Sequence, residues 1–175
     1  MFLYNKKNAL GLEFCNGFIQ TFEASEDKKP GSLYGPNGYD TGGGKKSTEI
    51  TLKTNLFFKN TEIGSSLCCN GTCLTITNIK KNLISFYLSK ETLDKTNFNS
   101  IKIGNIINIE KSLTYGNKIS GHYVQGHTDT TATVFNITIL SKTWVVTFSL
   151  KKKFQKYLIE KGSIAINGVS LTISK

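Results

Sequence analysis

The chain has 175 residues, 38% of them hydrophobic and 11% aromatic, which is enough to build a packed core in one domain or two small ones. Its formal charge is +10, from 22 basic against 12 acidic residues. Every basic residue is lysine, so the guanidinium group best suited to phosphate and base recognition is absent. The chain has neither the apolar core of a signal peptide at its amino terminus nor an uncharged stretch of roughly 18 residues. We therefore expect a cytoplasmic protein that binds neither nucleic acid nor membranes.

The predicted elements are mostly short β-strands. Residues 25 to 46 hold both prolines and a run of three glycines, which indicates a loop or flexible insertion. After it, β-branched or alternating runs recur between turn signals. The predicted strands are Glu49 to Lys53, Ser65 to Cys69, Cys73 to Ile79, Leu83 to Leu88, Ile106 to Glu110, Tyr123 to Val134, Thr143 to Leu150 and Ser163 to Ser174. Many short strands with few helices predict a sandwich or a barrel.

An internal repeat organises this part of the chain. Shifting the sequence by 97 positions aligns residues 65–77 with residues 162–174 without a gap and with six identities. Each copy carries Asn-Gly between two apolar runs. This dipeptide predicts a two-residue hairpin, because a type I′ turn requires positive φ at both central residues.

The residues just beyond each Asn-Gly pair are polar and occupy matching positions. Cys73 and Thr75 in the first copy, and Ser170 and Thr172 in the second, alternate with leucine. Because successive side chains of a strand point to opposite faces, these four should lie on the face opposite the leucines. The sequence therefore predicts two equivalent polar-lined pockets.

Several motifs in this region resemble those of the riboflavin synthase family. They are Asn-Gly-x-Cys/Ser-Leu-Thr in both repeats, Lys90-Glu91-Thr92-Leu93 with Thr96-Asn97, the run from Gly104 to Glu110, and the run from Gly121 to Asp129. The resemblance covers about residues 46 to 175. It implies an all-β fold of two similar six-stranded Greek-key barrels, with a first lumazine-binding barrel at 47–121 and the start of a second at 122–175.

Both ends of the chain depart from the family pattern. Residues 1–46 form an N-terminal extension with the Gly-rich insertion, and the nearest counterpart of the family's first strand is residues 17–21. If the first repeat closes near Gly121, the shift of 97 places the close of the second near residue 218, about 43 residues beyond Lys175. We therefore expect the second barrel to be incomplete in this chain.

The resemblance also implies a reaction and an assembly. Riboflavin synthases convert two molecules of 6,7-dimethyl-8-ribityllumazine into riboflavin and 5-amino-6-(D-ribitylamino)uracil, without a metal or redox cofactor. The reaction begins with loss of a proton from the C7 methyl group of the substrate. The family works as a homotrimer whose active site lies between the first barrel of one subunit and the second barrel of a neighbour.

Site residues are assigned on the same resemblance. His127 is the candidate for proton transfer, because imidazole titrates near neutral pH, whereas His122 is interpreted as structural. Cys73, Ser170 and Thr172 are the other candidate catalytic groups. The expected substrate-binding residues are Gly17, Phe18, Ile19, Ser66, Thr72, Cys73, Leu74, Thr75, Tyr87, Leu88, Ser89, Lys90, Glu91, Thr92, Gly126, His127, Thr128, Lys161, Val169, Ser170 and Leu171.

Two other functions compete with the enzyme. A non-catalytic, antenna-type lumazine or flavin binding protein would keep the pockets and lose the catalytic groups. The joint presence of all four candidate catalytic residues favours catalysis, and these are His127, Cys73, Ser170 and Thr172. A nucleic-acid-binding barrel would interleave aromatic and basic residues, as near Phe86 and Tyr87, but it would not require the Asn-Gly repeat. The cysteine and histidine spacing fits no common zinc motif, so we expect no metal site.

Overall fold

The computed structural model describes residues 2–5, 28–33, 47–141 and 143–174, with side chains from residue 48 onward. Strands dominate these residues. They are β1 (Phe2–Asn5), β2 (Lys28–Leu33), β3 (Ser47–Thr54), β4 (Ser66–Cys69), β5 (Thr72–Lys80), β6 (Leu83–Ser89), β7 (Ile106–Lys111), β8 (Thr133–Leu140), β9 (Thr143–Ser149), β10 (Ser163–Ile166) and β11 (Val169–Ile173). One α-helix, α1 (Lys90–Lys95), follows β6, and short 3-10 helices span Asn60–Glu62, Asn97–Ser100 and Lys152–Tyr157.

The first repeat forms a closed antiparallel barrel in the order β2-β3-β6-β5-β4-β7. Strands β4, β5 and β6 follow one another as neighbours, and β7 returns to pair with β4, which is a Greek-key arrangement. Alternate side chains of each strand fill the interior, as in β3, where Ile50 and Leu52 are buried while Glu49 and Lys53 are exposed. Closure leaves the barrel without the sticky edge of an open sheet.

Strand β2 corrects the interpretation of residues 25–46 as a loop. Residues 28–33 pair with both β3 and β7 and so complete the barrel. Pro30 has no backbone N–H to donate, and it lies opposite Asn108 of β7 but beyond the last residue paired with β3. The expected first strand at residues 17–21 lies outside the described residues.

The second repeat forms an antiparallel sheet of five strands in the order β10-β11-β1-β9-β8. Its β10–β11 hairpin is the counterpart of β4–β5, and β9 is the counterpart of β3 under the shift of 97 residues. Strand β1 pairs with β9 and β11 and takes the position that β6 takes between β3 and β5. Residues from the amino terminus therefore belong to the sheet of the second repeat.

The prediction of a strand from Tyr123 to Val134 is wrong over most of its length. The chain is irregular as far as Ala132, and the strand begins at Thr133 and continues to Leu140. Gly126, within the predicted strand, has a φ of +76°, which breaks the extended conformation. The carbonyl of Gly126 also accepts its hydrogen bond from Cys73 rather than from a neighbouring strand of the second sheet.

The described elements confirm the all-β fold class and its organisation around two related units. Each Asn-Gly pair forms a two-residue turn with positive φ at both positions, at 47° and 80° for Asn70 and Gly71 and at 49° and 84° for Asn167 and Gly168. These turns are the type I′ hairpins that the sequence predicts. Across the described residues no helix is long and apolar enough to cross a membrane.

Candidate functional site

The hairpin strands that follow the two turns present their polar residues outward. In β5, Cys73 and Thr75 are exposed, while Leu74 between them is 4% exposed and belongs to the barrel core. In β11, Thr172 is exposed and Ser170 is partly exposed. The predicted alternation is therefore correct, and the four polar side chains lie on the outer face of their strands.

A cavity of about 380 Å³ opens on this outer face in the first repeat. Its wall is formed by the start of β5, by α1 with the residue after it, and by residues 126–128. These last residues belong to the segment between β7 and β8, residues 112–132, which we call the linking segment. The lining residues are Thr72, Cys73, Glu91, Thr92, Lys95, Thr96, Gly126, His127 and Thr128. The cavity brings His127 and Cys73, two of the predicted catalytic residues, into one wall.

The linking segment is fastened to β5 by contacts on both sides of His127. The Cys73 backbone N–H donates to the carbonyl of Gly126 at 2.8 Å, and the hydroxyls of Thr72 and Thr128 are 2.9 Å apart. A Cβ on Gly126 would lie 2.6 Å from the Cβ of Cys73, so only glycine allows this close approach. These contacts hold the backbone of His127 beside Cys73 while its ring stays exposed.

Helix α1 forms the charged side of the cavity. The side chain of Ser89 caps it by accepting from the Thr92 backbone N–H at 3.2 Å. Lys95 Nζ lies 2.7 Å from Glu91 Oε1, and this hydrogen bond lowers the pKa of the Glu91 carboxyl and raises that of the Lys95 ammonium. The charge of Asp129 adds to the rise of the Lys95 pKa. The wall therefore carries a charged pair beside several hydroxyl groups.

A related contact exists in the second repeat. His122 Nδ1 lies 2.7 Å from Ser170 Oγ, and a Cβ on Gly121 would lie 2.5 Å from the same oxygen. Ser170 is the repeat counterpart of Cys73, so each Gly-His pair approaches the equivalent residue of one repeat. The interpretation of His122 as structural leaves this contact out. The signal that could have revealed it is the recurrence of Gly-His five residues apart.

The structure separates the other predicted binding residues into three groups. Thr72, Glu91, Thr92, Gly126 and Thr128 line the cavity, as predicted. The side chains of Leu74 and Leu88 lie in the barrel core, on the face that points away from the cavity. The lining does not include Ser66, Thr75, Tyr87, Ser89, Lys90, Lys161, Val169, Ser170, Leu171 and Thr172.

Two residues line the cavity without having been predicted, and three predicted residues are not among those that the structure describes. Gly17, Phe18 and Ile19 lie outside the described residues. Lys95 and Thr96 line the cavity, although the sequence motif predicts contacts only as far as Thr92. They lie four residues after Glu91 and Thr92, and helical spacing places such pairs side by side. Within the described ranges no group of three His, Cys, Asp or Glu residues could hold a metal ion.

Comparison with known proteins identifies the family. The family model of the lumazine binding domain matches residues 17–112 and 125–175. The chain belongs to the lumazine-binding domain family. The two matched segments correspond to the two repeats, and each contains one of the Asn-Gly hairpins described above.

Relatives of this chain include riboflavin synthases from bacteria. The chain is 38% identical to that of Buchnera aphidicola subsp. Schizaphis graminum over 122 residues, which are 69% of this chain and 59% of the relative. It is 39% identical to that of Escherichia coli K12 over 115 residues, which are 65% and 54% of the two chains. The match thus spans little more than half the length of these relatives.

Solved structures of similar fold include complexes of LumP. LumP bound to 6,7-dimethyl-8-(1'-D-ribityl) lumazine superposes with a TM-score of 0.67 at 23% identity, over 83% of this chain and 76% of LumP. LumP bound to riboflavin gives a TM-score of 0.66 at 22% identity, over 81% and 74%. At this level of identity the similarity establishes the lumazine-binding fold.

Proposed function

We propose that this protein acts as a riboflavin synthase, which converts two 6,7-dimethyl-8-ribityllumazine molecules into riboflavin and 5-amino-6-(D-ribitylamino)uracil. The observation that carries the proposal is the cavity beside Cys73, where a tethered backbone holds His127 next to an exposed thiol. The identity of 38% and 39% to riboflavin synthases supports the same function. The named reaction needs two ligand sites, and the two repeats supply two equivalent outer faces.

His127 has the chemistry that the first step requires. The reaction begins when a base removes a proton from the C7 methyl group, and an imidazole can accept a proton near neutral pH. The ring is exposed at the cavity wall, so a bound pteridine can reach it. The hydroxyls of Thr72, Thr92 and Thr128 and the charged pair on α1 offer hydrogen bonds to the ribityl chain and the ring.

The second repeat supplies a hydroxyl for the other half of the reaction. Ser170 Oγ lies 2.7 Å from His122 Nδ1. At this hydrogen-bond distance an adjacent imidazole can act as the base that activates a hydroxyl. We assign to Ser170 the addition to C7 of the second lumazine, or the activation of the water that adds there. Thr172 lies two residues further along the same face. Lys161, Val169 and Leu171 belong to the same proposed second site.

The proposal includes the assembly and the location of the protein. In the family the first barrel of one subunit faces the second barrel of its neighbour in a homotrimer, and we propose the same arrangement here, in the cytoplasm. The first barrel then provides one half of each site together with residues 126–128, which line its cavity, and the second repeat provides the other half. No cofactor takes part, because the second lumazine acts as the electron acceptor.

Turnover of the lumazine tests the proposal. The purified protein is incubated with 6,7-dimethyl-8-ribityllumazine, and the formation of riboflavin is followed by absorbance. The affinity of the protein for riboflavin is measured separately by fluorescence titration. We expect riboflavin to form, and His127→Gln to lower the turnover number by about 10²- to 10⁴-fold with a much smaller change in affinity. Asn99→Ala, at an exposed residue that does not line the cavity, is the matched control. Equal turnover in both variants would remove His127 from the mechanism.

The alternative is a binding protein that does not catalyse. The similarity in fold to LumP complexes with lumazine and riboflavin favours this candidate. It predicts saturable binding of riboflavin with no product from the lumazine, and unchanged binding in His127→Gln. Absence of both binding and turnover would contradict both candidates.

A further inference from the structure

Three cysteines lie within six residues of the β4–β5 hairpin, and the strand alternation separates them. Cys69 is 0% exposed and belongs to the barrel core. Burial and the neighbouring Cys68 and Cys73 raise the pKa of the Cys69 thiol well above 9.0, so it stays protonated and unreactive. Cys68 is partly exposed and Cys73 is exposed on the outer face.

Cys68 and Cys73 lie directly opposite each other across the hairpin. The two-residue turn is closed by the pair Cys69 and Thr72, and the next pair outward is Cys68 and Cys73. The Cys73 N–H donates to Gly126 of the linking segment at 2.8 Å, so it does not donate to Cys68. The two cysteines therefore form a non-hydrogen-bonded pair, for which the Cα atoms of antiparallel strands lie about 4.5 Å apart.

This geometry suits a cross-link between the two side chains. A disulfide requires Cα atoms about 4.4 to 6.8 Å apart and side chains on the same face, and cross-strand partners meet both conditions. The second condition fails for Cys69, whose side chain points into the core. We propose that Cys68 and Cys73 form a reversible disulfide, and that this modification controls access of the Cys73 thiol to the cavity.

The oxidant is a low-molecular-weight disulfide such as oxidised glutathione. The exposed Cys73, as its thiolate, attacks one sulfur of the oxidant, forms a mixed disulfide and releases one reduced glutathione. Cys68, as its thiolate, then attacks the Sγ of Cys73 and releases the second glutathione. Two cysteine thiols lose two electrons and two protons, and one glutathione disulfide becomes two glutathione thiols.

The cross-link should be easy to reverse. Only four residues, Cys69 to Thr72, separate the two cysteines, and the hairpin already holds the strands together. A short loop of this kind removes less entropy from the unfolded chain than a long loop does, so the disulfide adds less stability than a long-range cross-link would. Exposed disulfides that contribute little stability are the ones that cellular thiols reduce readily.

Oxidation would change the wall of the cavity. In the thiol form Cys73 lines the cavity together with His127. In the disulfide form its sulfur is bonded to Cys68, on the neighbouring strand, and no longer offers an S–H group to a bound ligand. The expected loss of ligand affinity rests on the proposed function, whereas formation of the disulfide does not.

Mass spectrometry after differential alkylation tests the disulfide itself. Cys15, the fourth cysteine of the chain, is replaced by serine so that only the three hairpin cysteines remain. The folded Cys15→Ser protein is treated with oxidised glutathione, then denatured and alkylated. We expect two alkylation sites to be lost, at Cys68 and Cys73, while Cys69 remains alkylated. The change should reverse with dithiothreitol. When Cys68→Ser is added, the remaining cysteines, Cys69 and Cys73, should not form a disulfide because Cys69 points into the core. Oxidation should then stop at the glutathione adduct of Cys73.

Riboflavin titration of the same samples tests the consequence. Oxidation should weaken riboflavin binding by about tenfold in Cys15→Ser, and reduction should restore it. The Cys68→Ser variant without a glutathione adduct on Cys73 should bind riboflavin like the reduced protein. Retention of all three alkylation sites, or loss of Cys69 instead of Cys68, would overturn the proposal. Binding that is equal before and after a proven cross-link would refute control of the cavity. If riboflavin binds to neither form, the proposed function fails while the disulfide is judged by mass alone.

Discussion

Gly71 and Gly168 pack against each other, backbone to backbone, where the hairpins of the two repeats meet. A Cβ on Gly71 would lie 2.6 Å from the backbone nitrogen of Gly168, and a Cβ on Gly168 would lie 3.1 Å from that of Gly71. The glycines thus have two roles, because their positive φ closes the turn and their missing side chains let the repeats touch. The Asn-Gly motif therefore carries the contact between the repeats as well as the hairpins.

We expect Gly71→Ala to destabilise the protein more than a glycine substitution with the same backbone strain elsewhere. Gly104 has a φ of +89°, close to the +80° of Gly71, but a Cβ added to Gly104 would have no atom within 4 Å, so Gly104→Ala measures the strain alone. The expected excess for Gly71→Ala is about 1 to 3 kcal/mol, the usual range for overpacking. Urea unfolding of both variants measures it. Equal losses of unfolding free energy in Gly71→Ala and Gly104→Ala would show that the close contact between the two hairpins adds nothing to stability.

Asn108 ties the two hairpins together with hydrogen bonds. Its backbone N–H donates to Asn70 Oδ1 at 2.9 Å, and its side-chain Nδ2 donates to the carbonyl of Asn167 at 3.1 Å. Its Oδ1 is buried and has no hydrogen-bond partner among the described residues. One side chain in the first barrel therefore holds the turn of the second repeat.

We expect Asn108→Asp to be more destabilising than Asn108→Ala. Alanine removes one hydrogen bond, which costs about 1 kcal/mol, whereas aspartate places a carboxylate against the carbonyl of Asn167 in a buried setting and should cost about 3 kcal/mol. The same pair of substitutions at the exposed Asn99 controls for the change of residue type. Thermal and urea unfolding give the order, and an aspartate variant as stable as wild type would show that the Asn167 contact is not formed in solution.

The sequence predicts the barrel well where local rules decide the structure. The Asn-Gly turns follow from positive φ, and the outward position of Cys73 follows from strand alternation. The strand predicted around Gly126 is wrong because the hydrogen-bond partner of this glycine, Cys73, lies 53 residues earlier and belongs to the other repeat. The contact of His122 with Ser170 also escapes local rules, because the two residues are 48 positions apart in the chain and only the fold brings them together.

The carboxyl of Glu62 should make the stability of the first barrel depend on acid pH. Burial pushes its pKa upward, but hydrogen bonds from Lys111 Nζ at 2.9 Å and from the Lys59 N–H at 2.6 Å outweigh burial and lower the pKa below 4.5. A lowered folded-state pKa contributes stability that is complete above 4.5 and is lost as pH falls through the folded value. Glu62→Gln should therefore cost about 1 kcal/mol near neutral pH.

Urea unfolding at several pH values checks this prediction. The difference in unfolding free energy between wild type and Glu62→Gln should shrink as pH falls below 4.5, because the wild type loses the ionised contact and the variant has none. Glu49→Gln, on the exposed face of β3, is the control and should show no such convergence. A difference that stays constant down to the acid transition would show that the ionised carboxylate adds nothing.

A double-mutant cycle on Ser170 and His122 tests whether they act as one unit. Their side chains are 2.7 Å apart, so the hydroxyl and the imidazole can exchange a proton directly. If Ser170 adds to the second lumazine with His122 as its base, Ser170→Ala and His122→Gln should each lower turnover by about 10²- to 10⁴-fold. The double variant should then be no slower than the slower single variant, because the effects of residues that act as a unit are not additive.

Thr172→Ala supplies the comparison, since the Thr172 hydroxyl lies on the same face two residues further along β11. Its effect on turnover should multiply with that of His122→Gln. Rates of riboflavin formation at saturating lumazine, together with riboflavin affinities, separate lost chemistry from lost binding. Multiplicative effects for Ser170 and His122 would refute the pair and return His122 to a structural role.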